Sequence, residues 1–190
     1  RVFAGAHGLA LLIGLALILA FAGFGRQIVS LAAGGSEELT QMGLTYLRIT
    51  VAFSPLLFVL SVNSDALRNE GRVGFMAAMS LLVSLANIAF NYLLIAVLDL
   101  GVAGSAYGTA MAQALAFAII ATFRFRGTTA LRPSALLRHG VMHAWARILA
   151  LGAPQSLNFI GLALGSAAIM AAPRRVLALG HENNVLNGMK

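Results

Sequence analysis

Five long apolar runs, separated by short loops whose charge alternates in sign, constrain this chain more than any other feature. The runs cover residues 2–24, 47–63, 73–98, 102–123 and 148–172. Each approaches the ~20 residues that a helix needs to cross a hydrocarbon core of ~30 Å. No water in that core can satisfy backbone groups, so each run is expected to be helical. The expected fold is all-α, a polytopic transmembrane bundle of about five spanning helices. The loops add an orientation. Arg1 precedes the first run, and the next loop holds Arg26, Glu37 and Glu38, a net −1. The following loop holds Arg68, Glu70 and Arg72, a net +1, and a tight loop then carries only Asp99. The fourth carries Arg124, Arg126, Arg132, Arg138 and Arg147 with no acid. Cytoplasmic loops are enriched in Lys and Arg. The pattern predicts a multi-pass protein of the inner (cytoplasmic) membrane with the residue 1 end in the cytoplasm.

Composition supports lipid as the surrounding solvent. Hydrophobic residues make up 59% of the chain and charged residues 10%, against about 25% charged in a soluble domain. Too few polar side chains remain to coat a globule. The net charge of +7 invites a nucleic-acid reading. Five of the thirteen basic residues sit in one loop, however, without the run of interleaved aromatics that a base-stacking platform needs, so no nucleic-acid partner is expected. With no cysteine, disulfides, thiolate metal sites and thiol nucleophiles are excluded. The chain begins with Arg1, which suggests a fragment or processed piece. Ala20-Phe21-Ala22 resembles a signal-peptide cleavage site, but the run is long for one and four more follow.

Local signals divide the chain further. Gly34-Gly35-Ser36 punctuates the first outer loop, and Ser36 before Glu37 and Glu38 is suited to cap a short interfacial helix leading to Tyr46. Tyr46–Arg48 places an aromatic and a snorkelling cation at the outer interface. Pro55 should kink the second helix. Residues 127–147, with Pro133, flanking arginines and Trp145, read as an amphipathic cytoplasmic connector and the main organisational boundary. The tail 173–190 breaks the charge logic. Arg174 and Arg175 follow a fifth crossing that should end outside, so the tail is expected to be a truncation or frame-shift product rather than the natural continuation.

Polar residues recur at membrane depth with helical spacing. Ser80, Ser84, Asn87 and Asn91 fall on one face of the third helix, and Ser105, Thr109 and Gln113 recur every four residues in the fourth. Gln155 and Asn158 are neighbours in the fifth, after Pro154. Amides are costly against lipid, so these stripes should face a bundle interior or a water-filled cavity. They could line a cation or substrate path, or serve as interhelical glue worth about 0.6–2 kcal/mol per contact. From pattern alone, glue is the weightier reading. Gly104 and Gly108, continued by Ala112 and Ala116, and the pair Gly161 and Gly165 suit close helix packing. Asp65, beside Asn63 and Arg68, reads as a solvated or ion-paired interface residue. His139 and His143 lie at i and i+4 without an accompanying acid, so no metal site is expected there. No paired carboxylates, Ser-His-Asp set or phosphate-cradling loop occurs, and an enzyme needs such a constellation.

Several of these pieces, taken in order, resemble one family. Tyr46-Leu47-Arg48-Ile49, Ala66-Leu67-Arg68-Asn69-Glu70-Gly71, Asn87 through Ile95, Leu100-Gly101-Val102-Ala103-Gly104-Ser105-Ala106 and Leu151-Gly152-Ala153-Pro154 together look like the multidrug and toxic compound extrusion (MATE) transporters. The resemblance covers about residues 2–172. It implies that the five runs are helices three to seven of a twelve-helix, two-lobe antiporter. Residues 1–126 would belong to the N-lobe, 127–147 to the inter-lobe linker, and 148–172 to the first C-lobe helix. Residues 173–190 match nothing in the family. Family members export cationic, amphipathic compounds by alternating access, driven by sodium or proton entry, with no other cofactor. The positions matching the family's N-lobe cation site are Asn87, Asn91 and Thr109, with Asn91 standing where some branches carry Asp. Gln113 and Asn158 are expected to line the substrate cavity. Run 148–172 contains no Asp or Glu, which leaves the coupling ion open. The expected partners are the lipid bilayer and a small cationic organic substrate, and the fragment is expected to be inactive alone. The competing readings are a lipid-linked-precursor flippase of the same superfamily and a non-transporting structural subunit. A flippase needs a cationic cavity, and Arg48 is the only arginine expected near membrane depth.

Overall fold

The computed structural model describes residues 2–127, 145–150, 152–154, 156–157, 160–162 and 165, nearly all of them in helices joined by short connections. The chain divides into two compact units, Arg1–Trp145 and Ala146–Lys190. In the first, α1 runs Val2–Ala32, α2 Glu37–Ala52, α3 Ser54–Asn69, α4 Val73–Asn91 and α5 Gly101–Phe125, with a π-helical segment at Tyr92–Val97 continuing α4. Three of these helices are long and apolar enough to cross a membrane: Val2–Ala32, Val73–Val97 and Gly101–Phe125. The pair α2 and α3, bent by 50° at the break between them, supplies a fourth crossing if taken as one span. The fifth expected span falls mostly outside the described residues. In the second unit, Ser156 Oγ donates to the Gly152 carbonyl at 3.0 Å.

Two boundaries differ from the sequence reading. The first helix does not stop near residue 24 but runs to Ala32, a length of 31 residues that rises about 46 Å. Arg26 is therefore a helical residue, and the connecting turn shrinks to Ala33–Ser36 with Gly34 and Gly35 at positive φ. Ser36 does cap the next helix, its hydroxyl accepting from the Leu39 amide at 3.4 Å, and Glu37 and Glu38 occupy the first turn, where the helix dipole favours acids. That helix is not a short interfacial piece. It runs unbroken through Tyr46 and Arg48 to Ala52. The break comes at Phe53, one residue before α3 opens with Pro55 in its first turn. A proline there lacks only an N–H that would have had no helical partner. The kink docks on Gly14 of α1. A Cβ at Gly14 would lie 2.8 Å from the Pro55 Cα, and Ser54 Oγ donates to the Gly14 carbonyl at 3.4 Å.

α1 packs chiefly on α3 and α4 on α5, while α5 also meets α2 and α3. Small residues bring α5 inside. Gly104, Ala106, Gly108, Ala110, Ala112 and Ala116 are all buried, as expected where close backbone approach drives helix association. Leu67, Met76, Met79, Ala116 and Ile120 form the apolar core. Leu81, Leu85, Ile88 and Tyr92 make an exposed stripe on α4, and Leu11, Leu15 and Leu19 are exposed on α1. Those outward apolar faces suit lipid.

Candidate functional site

The seam between α4 and α5 collects three of the residues the sequence singled out. Asn87 Nδ2 donates to Thr109 Oγ1 at 3.2 Å, and Asn91 Nδ2 donates to Asn87 Oδ1 at 3.0 Å. Thr109 Oγ1 in turn donates to the Ser105 carbonyl at 3.1 Å. The chain of bonds ends at Asn91. Its Oδ1 is buried and accepts from no protein group. A buried amide oxygen without a donor is costly by about 1–3 kcal/mol and calls for an explanation. Gly108 makes room for it, since a Cβ there would strike that oxygen and approach the Asn91 backbone nitrogen to 3.1 Å. One turn earlier Gly104 backs onto the Leu94 carbonyl group, 3.0 Å from where its Cβ would stand. The glycine pair therefore lets α5 press against the junction where α4 widens into its π-helical segment, a type of irregularity often found at functional sites.

The rest of the polar stripe does not join this network. Ser80 and Ser84 return their hydroxyls to the Met76 and Ser80 carbonyls of their own helix, at 3.0 Å each, and both lie exposed. Gln113 is half-buried and stands outside the hydrogen-bonded set among the described residues. Asn158 and Gln155 lie outside the described residues, as do His139 and His143.

A second polar cluster sits at the other end of the bundle, where α1 begins and α3 and α5 end. Arg124 and Glu70 pair at 3.0 Å with side-chain exposures of 3% and 10%. Arg124 also donates to the Asn63 carbonyl at 3.1 Å and faces the Phe3 ring at 5.0 Å. His7 Nδ1 donates to the Phe3 carbonyl at 2.8 Å, and its Nε2 accepts from Asn63 Nδ2 at 2.8 Å, the pattern of a neutral ring. Asn63 Nδ2 also donates to the Val59 carbonyl at 2.8 Å. A cavity of about 150 Å³ lies against Phe3, His7, Asn63, Phe117 and Arg124. The sequence reading placed Arg124 in a solvated loop and named Arg48 as the only arginine near membrane depth. Arg124 is instead buried in the bundle. One signal was available: Gly108, Ala112, Ala116, Ile120 and Arg124 recur every four residues and are all buried, so the small-residue stripe reaches the arginine. His7 and Asn63, polar residues inside apolar runs, were a second. Asp65 behaves as expected, forming an exposed pair with Arg68 at 3.0 Å.

These features, a small-residue seam between membrane-length helices with an amide network buried in it, define an all-α multi-pass membrane protein. The MatE family model matches residues 2–93. The chain is also similar to a solved structure described as the inward-facing conformation of a multidrug resistance MATE family transporter of the MOP superfamily, at 24% identity and a TM-score of 0.57, covering 62% of this chain and 26% of that one. The chain thus corresponds to about a quarter of that transporter's length. No match is found among curated proteins.

Proposed function

We infer that the chain is part of a cation-coupled multidrug antiporter exporting cationic amphipathic compounds by alternating access, with Asn87, Asn91 and Thr109 on the cation side. The observation that carries this is the donor-less, buried Asn91 Oδ1. An interhelical staple would use that oxygen, whereas a hard cation such as sodium wants an oxygen held out of water. The Asn87 and Thr109 oxygens lie in the same hydrogen-bonded chain and would complete a partial oxygen set. Because no carboxylate joins them, the site would be weak and easily emptied, which suits an ion that must bind on one side and leave on the other. Cation binding would favour one arrangement of the α4–α5 seam and so bias the lobe motion. Gln113 and Asn158 are proposed to line the substrate cavity. The coupling ion is sodium or a proton, and the membrane is the inner one with the α1 start in the cytoplasm. A lipid-linked-precursor flippase fits less well, because Arg124 inside the bundle is engaged by Glu70 and by the Asn63 carbonyl, while Arg26 and Arg48 lie exposed at the periphery rather than in a central cavity.

The test is efflux of a fluorescent cation by the transporter that carries these helices, with Asn87→Leu and Asn91→Leu in place. The expected result is loss of ion-dependent efflux with the protein still folded in the membrane. Efflux with unchanged ion dependence sinks the assignment.

A further inference from the structure

Arg26 on α1 and Arg48 on α2 line one cavity of about 360 Å³ whose remaining walls include Ile18, Phe21, Leu44 and Val51. Both arginines are exposed. Arg48 lies three turns into a continuous helix, four residues beyond buried Leu44, and makes no ion pair among the described residues. Arg26 is held on the rim by Glu37, at 3.4 Å. Gly43 of α2 lies against Val29 of α1, so the two antiparallel helices bring Arg26 and Arg48 to a similar depth near the end where α1 stops. The three charged groups leave the rim at a net +1. A guanidinium over an apolar groove at this depth is costly unless an anion meets it, and its planar fork matches phosphate oxygens.

We propose that this cavity binds an anionic glycerophospholipid, with the phosphate on Arg48 and Arg26 and the start of one acyl chain along Ile18, Phe21, Leu44 and Val51. Charge complementarity selects the occupant. A free phosphate would leave the apolar wall bare, and a zwitterionic headgroup would bring an ammonium toward Arg26 and Arg48. Basic pockets between transmembrane helices recognise acidic headgroups in this way. The proposal rests on the membrane placement of α1 and α2 and is independent of the cation site.

Native mass spectrometry of the full chain, released from nanodiscs of equal phosphatidylglycerol and phosphatidylcholine, tests it. The unaltered chain should retain phosphatidylglycerol preferentially. Arg48→Ala should lower that preference about five-fold, the effect of one basic group at a membrane surface, and Arg48→Lys should keep most of it. Far-ultraviolet circular dichroism checks that the helices persist, and exposed Arg48 leaves the core intact when truncated. Equal retention of both lipids, or an unchanged preference in Arg48→Ala, overturns the proposal. Displacement of the lipid by millimolar inorganic phosphate also overturns it, because the groove would then be a simple anion site.

Discussion

The α4–α5 seam and the knot of Phe3, His7, Asn63, Glu70 and Arg124 solve the same problem, polar groups held away from water, by opposite means. In the knot the charge is met by neighbours, although the buried Arg124 Nε makes no hydrogen bond. Arg124 faces a carboxylate and a carbonyl, and His7 uses both ring nitrogens. It ties α1, α3 and α5 together. In the seam the bonds run in one chain, Asn91 to Asn87 to Thr109 to the Ser105 carbonyl, and the first member keeps an oxygen that accepts nothing. A paired charge stiffens a bundle, while the buried Asn91 oxygen packed against Gly108 is a polar group that calls for an explanation. The contrast teaches that polarity at membrane depth is not one signal. What separates the two is that a buried charge pair holds the knot, whereas only neutral amides and a hydroxyl meet at the seam.

The comparison can be broken most directly at Arg124. Arg124→Ala takes from Glu70 the cation it faces in a buried setting and should lower stability by about 3–5 kcal/mol. Thermal unfolding in detergent micelles measures it, and a loss under 1 kcal/mol would show that the knot is not a brace. Next in size, Gly108→Ala drives a methyl group into Asn91 and should cost about 1–3 kcal/mol of overpacking. The same assay reads it, and Asn91→Ala added to Gly108→Ala should recover part of the loss. His7→Phe keeps the ring volume but removes both hydrogen bonds, and is expected to cost about 1–2 kcal/mol. Asn91→Leu sharpens the contrast from the other side. It removes one amide of the seam and should change stability by about 1 kcal/mol or less; if the proposed site takes sodium, ²³Na relaxation should also show the binding lost. Asp65→Asn is expected to be smallest, below about 1 kcal/mol, because its pair with Arg68 is exposed.

How much of this was legible varies by residue. The crossings within residues 2–127 were, because a helix in lipid needs a long apolar run. The Ser36 cap and the Pro55 break were too, since each acts through its own backbone. Asn87, Asn91 and Thr109 could be singled out by spacing and resemblance, and Asn87 Nδ2 does reach Thr109 Oγ1 across the seam, but Ser80 and Ser84 share that spacing and turn to their own helix instead. Periodicity says which residues share a face. It does not say which part of that face meets the neighbouring helix, and here Phe75, Met76 and Met79 pack on α5 while the two serines stay exposed.

The sequence alone therefore settled the solvent and the rough number of crossings, because hydrophobicity and helix length are properties of each segment by itself. Tertiary structure decided that Arg124 lies inside rather than in a loop, that α1 carries Arg26 to the rim of a groove, and that Asn91 ends with an idle oxygen. Each depends on which backbone comes close to which, and that is set by glycines such as Gly14 and Gly108 meeting partners far away in the chain.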